Sequence, residues 1–341
     1  MKKQIAVIFG SINSEHEVSV ASAASVIKNF PHDIYDMVPV YISKSGTWYT
    51  GDFTSDNFTN MDFDLSRELY LKFDFKNPGF IDASTNQSLP IDAAFIMLHG
   101  QMGEGGHIQG LLHSANIPFT GCDVLSSALC MDKIYTHVIC ESFGIPMAKY
   151  QVLVRGQEYD ITNISYPVIV KPAREGSSYG VSFANDETSL VNAINYAFEF
   201  DERILVEAYI KGTEVGVGIL KTKADYIVSD VDQVNVSGDI FDFQEKYHPH
   251  TATTLPLSEF PEPVSNQVTE YAKQVFDILG CNQFSRLDFF VTPNHEIYLN
   301  EVNTIPGFTS SSRYPSMLAR KGVDFRTLIT KMVDDIVWLR M

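Results

Sequence analysis

At 341 residues, with 45% apolar and 20% charged side chains and no biased segment, the chain reads as globular and long enough for two or three domains. Its net charge of -17 makes the average surface repel phosphate backbones and anionic lipid, which argues against nucleic acid and membrane as partners and leaves room only for a local basic pocket. No run approaches the roughly 18 apolar residues of a membrane span, MKKQIAVIFGS carries no cleavage-site pattern, and four cysteines without CxxC spacing predict buried free thiols in a cytoplasmic protein.

In chain order, Gln4 to Phe9 predicts a first strand, and Ser14-Glu15-His16-Glu17 fits a capping box ahead of a helix from Val18 to Asn29. Strands follow at Asp36 to Ile42 and Asp92 to Leu98, and the second runs into His99-Gly100 and a glycine-rich turn before a helix near His107 to Ala115. Strands alternating with helices predict a mostly parallel open sheet whose ligands gather at the carboxyl ends of its strands, where Glu15 and His99 lie. A long helix from Val124 to Phe143 carries Lys133 and is stopped by Gly144-Ile145-Pro146. Strands at Lys149 to Val154 and Tyr166 to Val170 come next, the latter delivering Lys171 into PAREGSSYG. A helix near Glu187 to Phe198 and strands at Ile204 to Ile210 and Glu214 to Leu220 complete this stretch. Residues Asp230 to Leu257 read as an extended polar loop, of a length that in compact domains usually belongs to lids or disordered segments. A helix from Pro261 to Leu279, a hairpin, and a helix from Asp324 to Leu339 end the chain.

The hairpin is the most informative local feature. RLDFFV and EIYLNEVN flank the turn-rich Thr292-Pro293-Asn294-His295. Period-two alternation puts Arg286 and Asp288 on one face of the first strand, and Glu301 and Asn303 on one face of the second. If the loop has an even number of residues the faces coincide, and three oxygen-bearing side chains converge beside an arginine. That is the ligand type Mg²⁺ takes when substrate phosphates complete its shell. KPAREGSSYG can approach phosphate oxygens with backbone N–H groups while Lys171 supplies charge. No G-K-[S/T] occurs in the chain, and Gly103 to Gly110 lacks dinucleotide spacing. Each feature alone has a plainer reading: a solvent-facing side of a hairpin, an ordinary turn, solvated carboxylates at Glu207 and Glu214, an interior histidine at His99. Nothing near His99 has zinc-ligand spacing.

Taken in order, SEHEVSV, LHGQMGEGGHIQG, LSSALCMDK, VKPAREGSSYGVS, DFQEKY, FSRLDFF and LNEVNTIPGFTSSSRYP resemble the D-alanine:D-alanine ligases of the ATP-grasp superfamily across nearly the whole chain. The resemblance implies an α/β chain with α+β domains: an N-terminal open parallel-sheet domain at residues 1–121, and ATP-grasp subdomains at 122–207 and 208–341, the last with a mobile loop at about 230–257. It implies that the carboxylate of D-alanine attacks the γ-phosphate of ATP, giving D-alanyl phosphate, and that the amine of a second D-amino acid displaces phosphate. Lys133, Lys171 and Ser178 would then face the nucleotide phosphates; Glu207, Ala208 and Ile210 the adenine; Glu214 the ribose. Asp288, Glu301 and Asn303 would hold Mg²⁺, two ions by family expectation, with Mn²⁺ as a substitute. Glu15 and His99 would sit at the first substrate. Lys246 and Tyr247 would belong to a lid, with Lys246 at the γ-phosphate and Tyr247 linked through Ser177 to Glu15. Arg286 and the Gly307 N–H would face the oxyanion of the second step. A homodimer is a family expectation only.

Two departures stand out: Gly103-Glu104-Gly105 where the family commonly reads GED, and Ser11 where it has a second glycine. Ser312 matches the group that holds the second substrate's carboxylate. Arg313 stands where D-alanine:D-alanine ligases usually carry Met or Leu. Ser-Arg-Tyr-Pro is instead similar to the vancomycin-resistance ligases, and the retained Tyr247 favours those that use D-serine. Arg313 is therefore expected to bond the second substrate, the plainer reading being an arginine paired with a neighbouring carboxylate. Two other functions compete: an ATP-grasp ligase for an L-substrate, and a nucleotide-binding regulator on the same fold.

Overall fold

A computed structural model describes residues 2–53, 58, 63, 65–236, 252–255 and 257–337. The chain opens with β1 (Gln4–Gly10), α1 (His16–Asn29), β2 (Asp36–Ile42), β3 (Trp48–Thr50), β4 (Arg67–Lys72), β5 (Gly79–Asp82), β6 (Ser88–Pro90) and β7 (Ala93–Met97). These form one sheet in the order β6-β5-β4-β3-β2-β1-β7. β1 lies inside it and β7 at its end, and both are buried almost throughout, as expected of strands covered on both faces.

Among the named strands of this sheet β1 alone pairs in parallel with others, β2 and β7, and β7 adds one parallel bridge from Ala94 to Phe119; β2 to β6 form an antiparallel meander. The expected mostly parallel sheet is thus mixed. Parallel pairing needs a crossover of a dozen or more residues, and the links from β3 to β6 are short turns apart from the stretch before β4. These strands of three to six residues went unread in the sequence because they are too short to show a period.

Next come α2 (Gly100–Glu104), α3 (His107–Ser114), α4 (Val124–Met131) and α5 (Lys133–Ser142). The single helix expected from Val124 to Phe143 is two. Asp132 leaves helical geometry at ψ 101° and caps α5, accepting the backbone N–H groups of Ile134 and Tyr135 at 3.1 and 3.4 Å. The break places Lys133 in the first turn of α5. The capping box expected at Ser14 to Glu17 is also not used: α1 begins at His16, Glu15 holds its N-cap position with no side-chain cap bond, and Glu17 pairs with Lys44. The carboxylate of Glu15 is left free for other work.

β8 (Tyr150–Val154), β9 (Val168–Pro172), β10 (Ser182–Ala184), α6 (Glu187–Ala197) and β11 (Arg203–Ala208) build a four-stranded antiparallel sheet ordered β10-β9-β11-β8. A third sheet is built from β12 (Thr213–Lys221), β13 (Tyr226–Val228), β14 (Asp232–Val236), β15 (Ala252–Leu255), β16 (Gln283–Val291) and β17 (Ile297–Asn303), ordered β15-β14-β12-β16-β17 with β13 on β12. α7 (Glu262–Ile278) packs on it. β14 and β15 pair as a hairpin within the expected extended loop. The intervening stretch that carries Lys246 and Tyr247 lies outside the described residues.

α8 (Arg313–Arg320) and α9 (Phe325–Ile336) close the described chain. Tyr314, Met317, Leu318, Ile329 and Met332 are buried in the core of the N-terminal sheet, together with Ile305 and Phe308. The chain thus returns to its first core after building the third sheet. All four cysteines are buried free thiols, and among the described residues no helix is long and apolar enough to cross a membrane.

Asp132 makes a checkable claim. Asp132→Ala should cost about 1–2 kcal/mol in urea unfolding through the lost cap, and Asp132→Asn, which keeps a capping oxygen, should recover about half of that loss. Equal losses in the two variants would show that the contact of Asp132 with Arg203, not the cap, carries the effect.

Candidate active site

Two adjoining cavities lie where the three sheets meet. The first, of about 280 Å³, is lined by Glu15, His99, Glu104, Ser177, Arg286, Asn303 and Gly307 among others. The second, of about 210 Å³, is lined by Lys171, Ser178, Glu207, Ala208, Ile210, Glu214, Phe290 and Tyr298 among others. Lys133, Glu175, Gly176, Ser177, Asn300 and Glu301 line both.

The β16–β17 hairpin supplies the wall between them. Its connection runs from Thr292 to Glu296, an odd five residues, not the even four expected. Continued regularly, Val291 opposite Ile297 would set Asp288 opposite Asn300 and turn Glu301 to the other face. A register shift between Asp288 and Phe289 inserts one residue on β17 and corrects this, so that Asp288 faces Glu301 and Arg286 faces Asn303. Asn303 Nδ2 donates to Asp288 Oδ2 at 2.9 Å and to Glu301 Oε1 at 3.4 Å. Arg286 forks onto Asp288 with three bonds of 2.7–3.0 Å. Burial opposes ionisation of Asp288, but Arg286 and Arg313 hold its pKa down.

Two carboxylates and an amide on one face form a hard oxygen donor set of the kind Mg²⁺ takes, and Glu301, engaged among the described residues by the Asn303 amide alone, stands between the cavities. The fit requires further oxygens from phosphate, because no group of three His, Cys, Asp or Glu among the described residues could hold a metal unaided.

Glu15 enters the first cavity from the carboxyl end of β1. Ser177, held at φ 46°, donates its hydroxyl to Glu15 Oε1. Gly100 and Gly176 make this approach possible, since a Cβ would lie 2.2 Å and 3.1 Å from Glu15 Oε2; Gly100 also sits at φ +68°. Burial raises the pKa of Glu15, opposed by the Ser177 bond.

His99 lines the same cavity as Glu15, as expected, with its ring held by the surrounding chain. It is 4% exposed, its Nδ1 pairs with the Ile305 carbonyl at 2.9 Å and its Nε2 with Ser22 Oγ at 2.9 Å. Burial lowers its pKa to about 4, so it is a neutral ring with both nitrogens engaged in holding the chain.

In the second cavity, β9 delivers Lys171, whose Nζ lies 2.7 Å from Glu207 Oε2, while His137 Nε2 pairs with Glu207 Oε1 at 2.9 Å. Burial pushes the Glu207 carboxyl up, yet Lys171 and His137 bring it down to about 2. Lys133 Nζ donates to the Glu175 carbonyl at 2.6 Å, and burial lowers its pKa.

Ser312 and Arg313 line neither cavity. Ser312 Oγ accepts the Thr309 N–H at 3.0 Å and pairs with Thr309 Oγ1 at 2.8 Å, lying about where it would touch a Cβ on Gly307, at 3.3 Å. Arg313, expected to meet a substrate, instead forks onto Asp232 at 2.7 and 3.1 Å, reaches Glu214 at 2.9 Å, and lies 3.5 Å from Asp288. Three carboxylates outcompete water for a guanidinium that is largely buried. The plainer reading of Arg313 therefore describes its geometry here.

Glu104, Ser22, His137 and Asp232 were missed in the sequence. Only Glu104 carried a signal there, as the acid in a glycine-rich turn. Its Oε1 accepts the Ile305 N–H at 2.8 Å and its Oε2 the Gly100 N–H at 3.1 Å. Burial, reinforced by Glu15, raises its pKa to about 8.

The chain and its architecture have counterparts among known proteins. The sequence models of the D-ala D-ala ligase N-terminus and C-terminus match residues 4–122 and 139–334. Vancomycin B-type resistance protein VanB of Enterococcus faecalis is 37% identical over 97% of this chain and 98% of its own. The D-alanine–D-alanine ligase of Acetivibrio thermocellus is 38% identical, covering 98% and 95%. Among solved structures, the VanG D-Ala:D-Ser ligase of Enterococcus faecalis superposes with a TM-score of 0.89 at 36% identity, covering 98% of this chain and 99% of that one. With both family models matched and relatives aligned almost end to end, the chain belongs to the D-alanine–D-alanine ligase family of ATP-dependent ligases.

Proposed function

We propose that the protein is a cytoplasmic ligase that joins D-alanine to a second D-amino acid, with ATP as energy source, for peptidoglycan precursors. The observation that carries this reading is the shared wall: Lys133 and Glu301 line both cavities, so a phosphoryl group from one and a carboxylate from the other meet between them.

D-Alanine enters the first cavity with its ammonium against Glu15, whose orientation Ser177 holds. Lys171 and Lys133 hold the nucleotide phosphates, and Glu207 and Glu214 flank the adenosine. Bound at Asp288, Glu301 and Asn303, Mg²⁺ would neutralise charge on the transferring phosphoryl group. The substrate carboxylate attacks the γ-phosphorus, the bond to the β-phosphate oxygen breaks, and D-alanyl phosphate forms beside ADP. The second amine then attacks the acyl carbon. Arg286 and the Gly307 N–H face the oxygen that gains charge, and phosphate leaves. Lys246 and Tyr247 would exclude water from the acyl phosphate.

This division of labour is testable. Lys171→Ala should abolish ATP binding in calorimetry, whereas Arg286→Ala should bind ATP as the unmodified protein does and lose turnover by about 10²- to 10³-fold. Unimpaired phosphate release by Arg286→Ala would contradict its role at the oxyanion.

For the second substrate we propose D-serine, on the similarity of Ser-Arg-Tyr-Pro and the retained Tyr247 to the serine-type resistance ligases. The alternative, an ordinary D-alanine:D-alanine ligase, is favoured by one observation: Arg313 is held by Asp232, Glu214 and Asp288 and lines neither cavity. A site built to bond a hydroxyl rejects the analogue lacking it by about 10⁴-fold, whereas an apolar pocket discriminates by only about 10². Phosphate release with D-alanine plus D-serine should therefore greatly exceed that with D-alanine alone, and chromatography should identify D-Ala-D-Ser as the product. A preference for D-alanine alone would establish the alternative.

A further inference from the structure

We propose that Glu104 is a positioning residue that clamps the oxyanion loop of the third sheet onto the first-substrate domain, and that Ser22 is its counterpart on the other flank. The inference rests on the ligase reading above and adds residues to it. Gly307 lies in the segment that follows β17, and its N–H has no hydrogen-bond partner among the described residues. A donor is useful at a developing oxyanion only if it is fixed before charge appears. The segment's own residues do little of this fixing. Ser312 and Ser311 brace the outer side through Thr309, while the bonds to Ile305 and Phe308 come from Glu104, His99 and Ser22 in the N-terminal part of the chain.

Those bonds bracket Gly307. Two residues before it, the Ile305 N–H donates to Glu104 Oε1 at 2.8 Å and the Ile305 carbonyl pairs with His99 Nδ1 at 2.9 Å. One residue after it, the Phe308 N–H donates to Ser22 Oγ at 3.4 Å, and the same oxygen lies 2.9 Å from His99 Nε2. The second oxygen of Glu104 accepts the Gly100 N–H at 3.1 Å, tying the clamp to the glycine that lets Glu15 into the cavity. One carboxylate thus spans 201 residues of sequence and joins the first-substrate turn to the second-step loop. Both of its oxygens accept N–H groups, and these two bonds favour the ionised form against the burial and the Glu15 charge that raise its pKa, whereas an amide turns an N–H toward one of the donors. Ser22 is 1% exposed on α1 and lines neither cavity.

The alternative is that Glu104, which does line the first cavity, holds the first substrate's ammonium alongside Glu15. The two roles separate by reaction step. Scrambling of ¹⁸O from the β–γ bridge of labelled ATP, with D-alanine at a concentration that fills the first site, reads phosphoryl transfer; dipeptide formation reads both steps. In Glu104→Gln and in Ser22→Ala, we expect dipeptide kcat to fall by about 10- to 100-fold, the range for a displaced catalytic group. Scrambling and the KM of the first D-alanine should stay within about threefold, the size of an effect that leaves the first step untouched. Ser22→Ala removes one hydroxyl, so it keeps the test valid if Glu104→Gln folds poorly, and thermal midpoints of both are recorded. Unchanged dipeptide kcat in Ser22→Ala and in a folded Glu104→Gln overturns the clamp, as does a parallel fall of scrambling and kcat with a raised KM, which assigns Glu104 to the ammonium. Failure of the unmodified protein to scramble label with D-alanine would instead overturn the ligase reading.

Discussion

The register between β16 and β17 is the constraint on which the rest of the site depends. Side chains alternate with a period of two, so a slip of one residue sends a whole set to the opposite face. Here the slip is built in: the odd connection would misalign Asp288 and Glu301, and the bulge after Asp288 restores them. The extra residue, Asn300, lies in the wall shared by the two cavities. The facing of Asp288 with Glu301, the contacts of Asn303 with both, and the placing of Gly307 a few residues further on inherit their geometry from that single insertion. Bulges next to active sites commonly re-aim side chains in this way.

Around this wall the chain gathers charge that would be unfavourable in isolation. Burial raises the pKa of Glu15, Glu104, Glu175 and Glu214, and the carboxylates repel one another across the cavities. Arg286 and Arg313 offset Asp288, Asp232 and Glu214, and Lys171 offsets Glu207. Gly216 permits the densest contact, because a Cβ there would come within 2.5 Å of Arg313 Nη2 and 2.9 Å of Asp288 Oδ1. Such a site favours ligands that bring cationic groups toward Glu15 and Glu301, an ammonium and a divalent ion, over anionic ligands lacking them. A protein of net charge -17 can therefore bind a nucleotide without a basic surface.

The sequence disclosed those features that depend on neighbours along the chain. The buried runs of β1 and β7, the helix of Glu262–Ile278 and the face-sharing of Glu301 with Asn303 all follow from local period. Features that depend on partners far away did not show. The meander of β3 to β6 is too short to carry a period, and the cap at Asp132 was hidden inside an unbroken helical pattern. The bulge is a property of two strands together. Arg313 illustrates the limit most clearly: the SSSRYP stretch leads one to expect it at the second substrate, but Asp232 and Glu214 lie 81 and 99 residues away and claim its guanidinium. The acidic turn at Glu104 was noticed as a departure and given no role, because both N–H groups it serves emerge only from the folded backbone.

The path of the last segment shows what the proposed clamp would add. Residues 305–308 leave the third sheet and enter the core of the first, where Ile305 and Phe308 are buried with Tyr314, Met317 and Leu318. Apolar burial fixes where the segment lies, but it is non-directional and leaves rotation of individual peptide units weakly specified. Hydrogen bonds supply the missing direction. With Ile305 held at both its N–H and its carbonyl, and Phe308 held at its N–H, the intervening Pro306-Gly307 peptide has little freedom to turn its donor from the cavity. Proline removes a further torsion by fixing its own φ. On the reading proposed above, the same bonds would join the first-substrate side to the second step, so a displacement of Gly100 or Glu15 would be transmitted to Gly307 through one carboxylate and one imidazole.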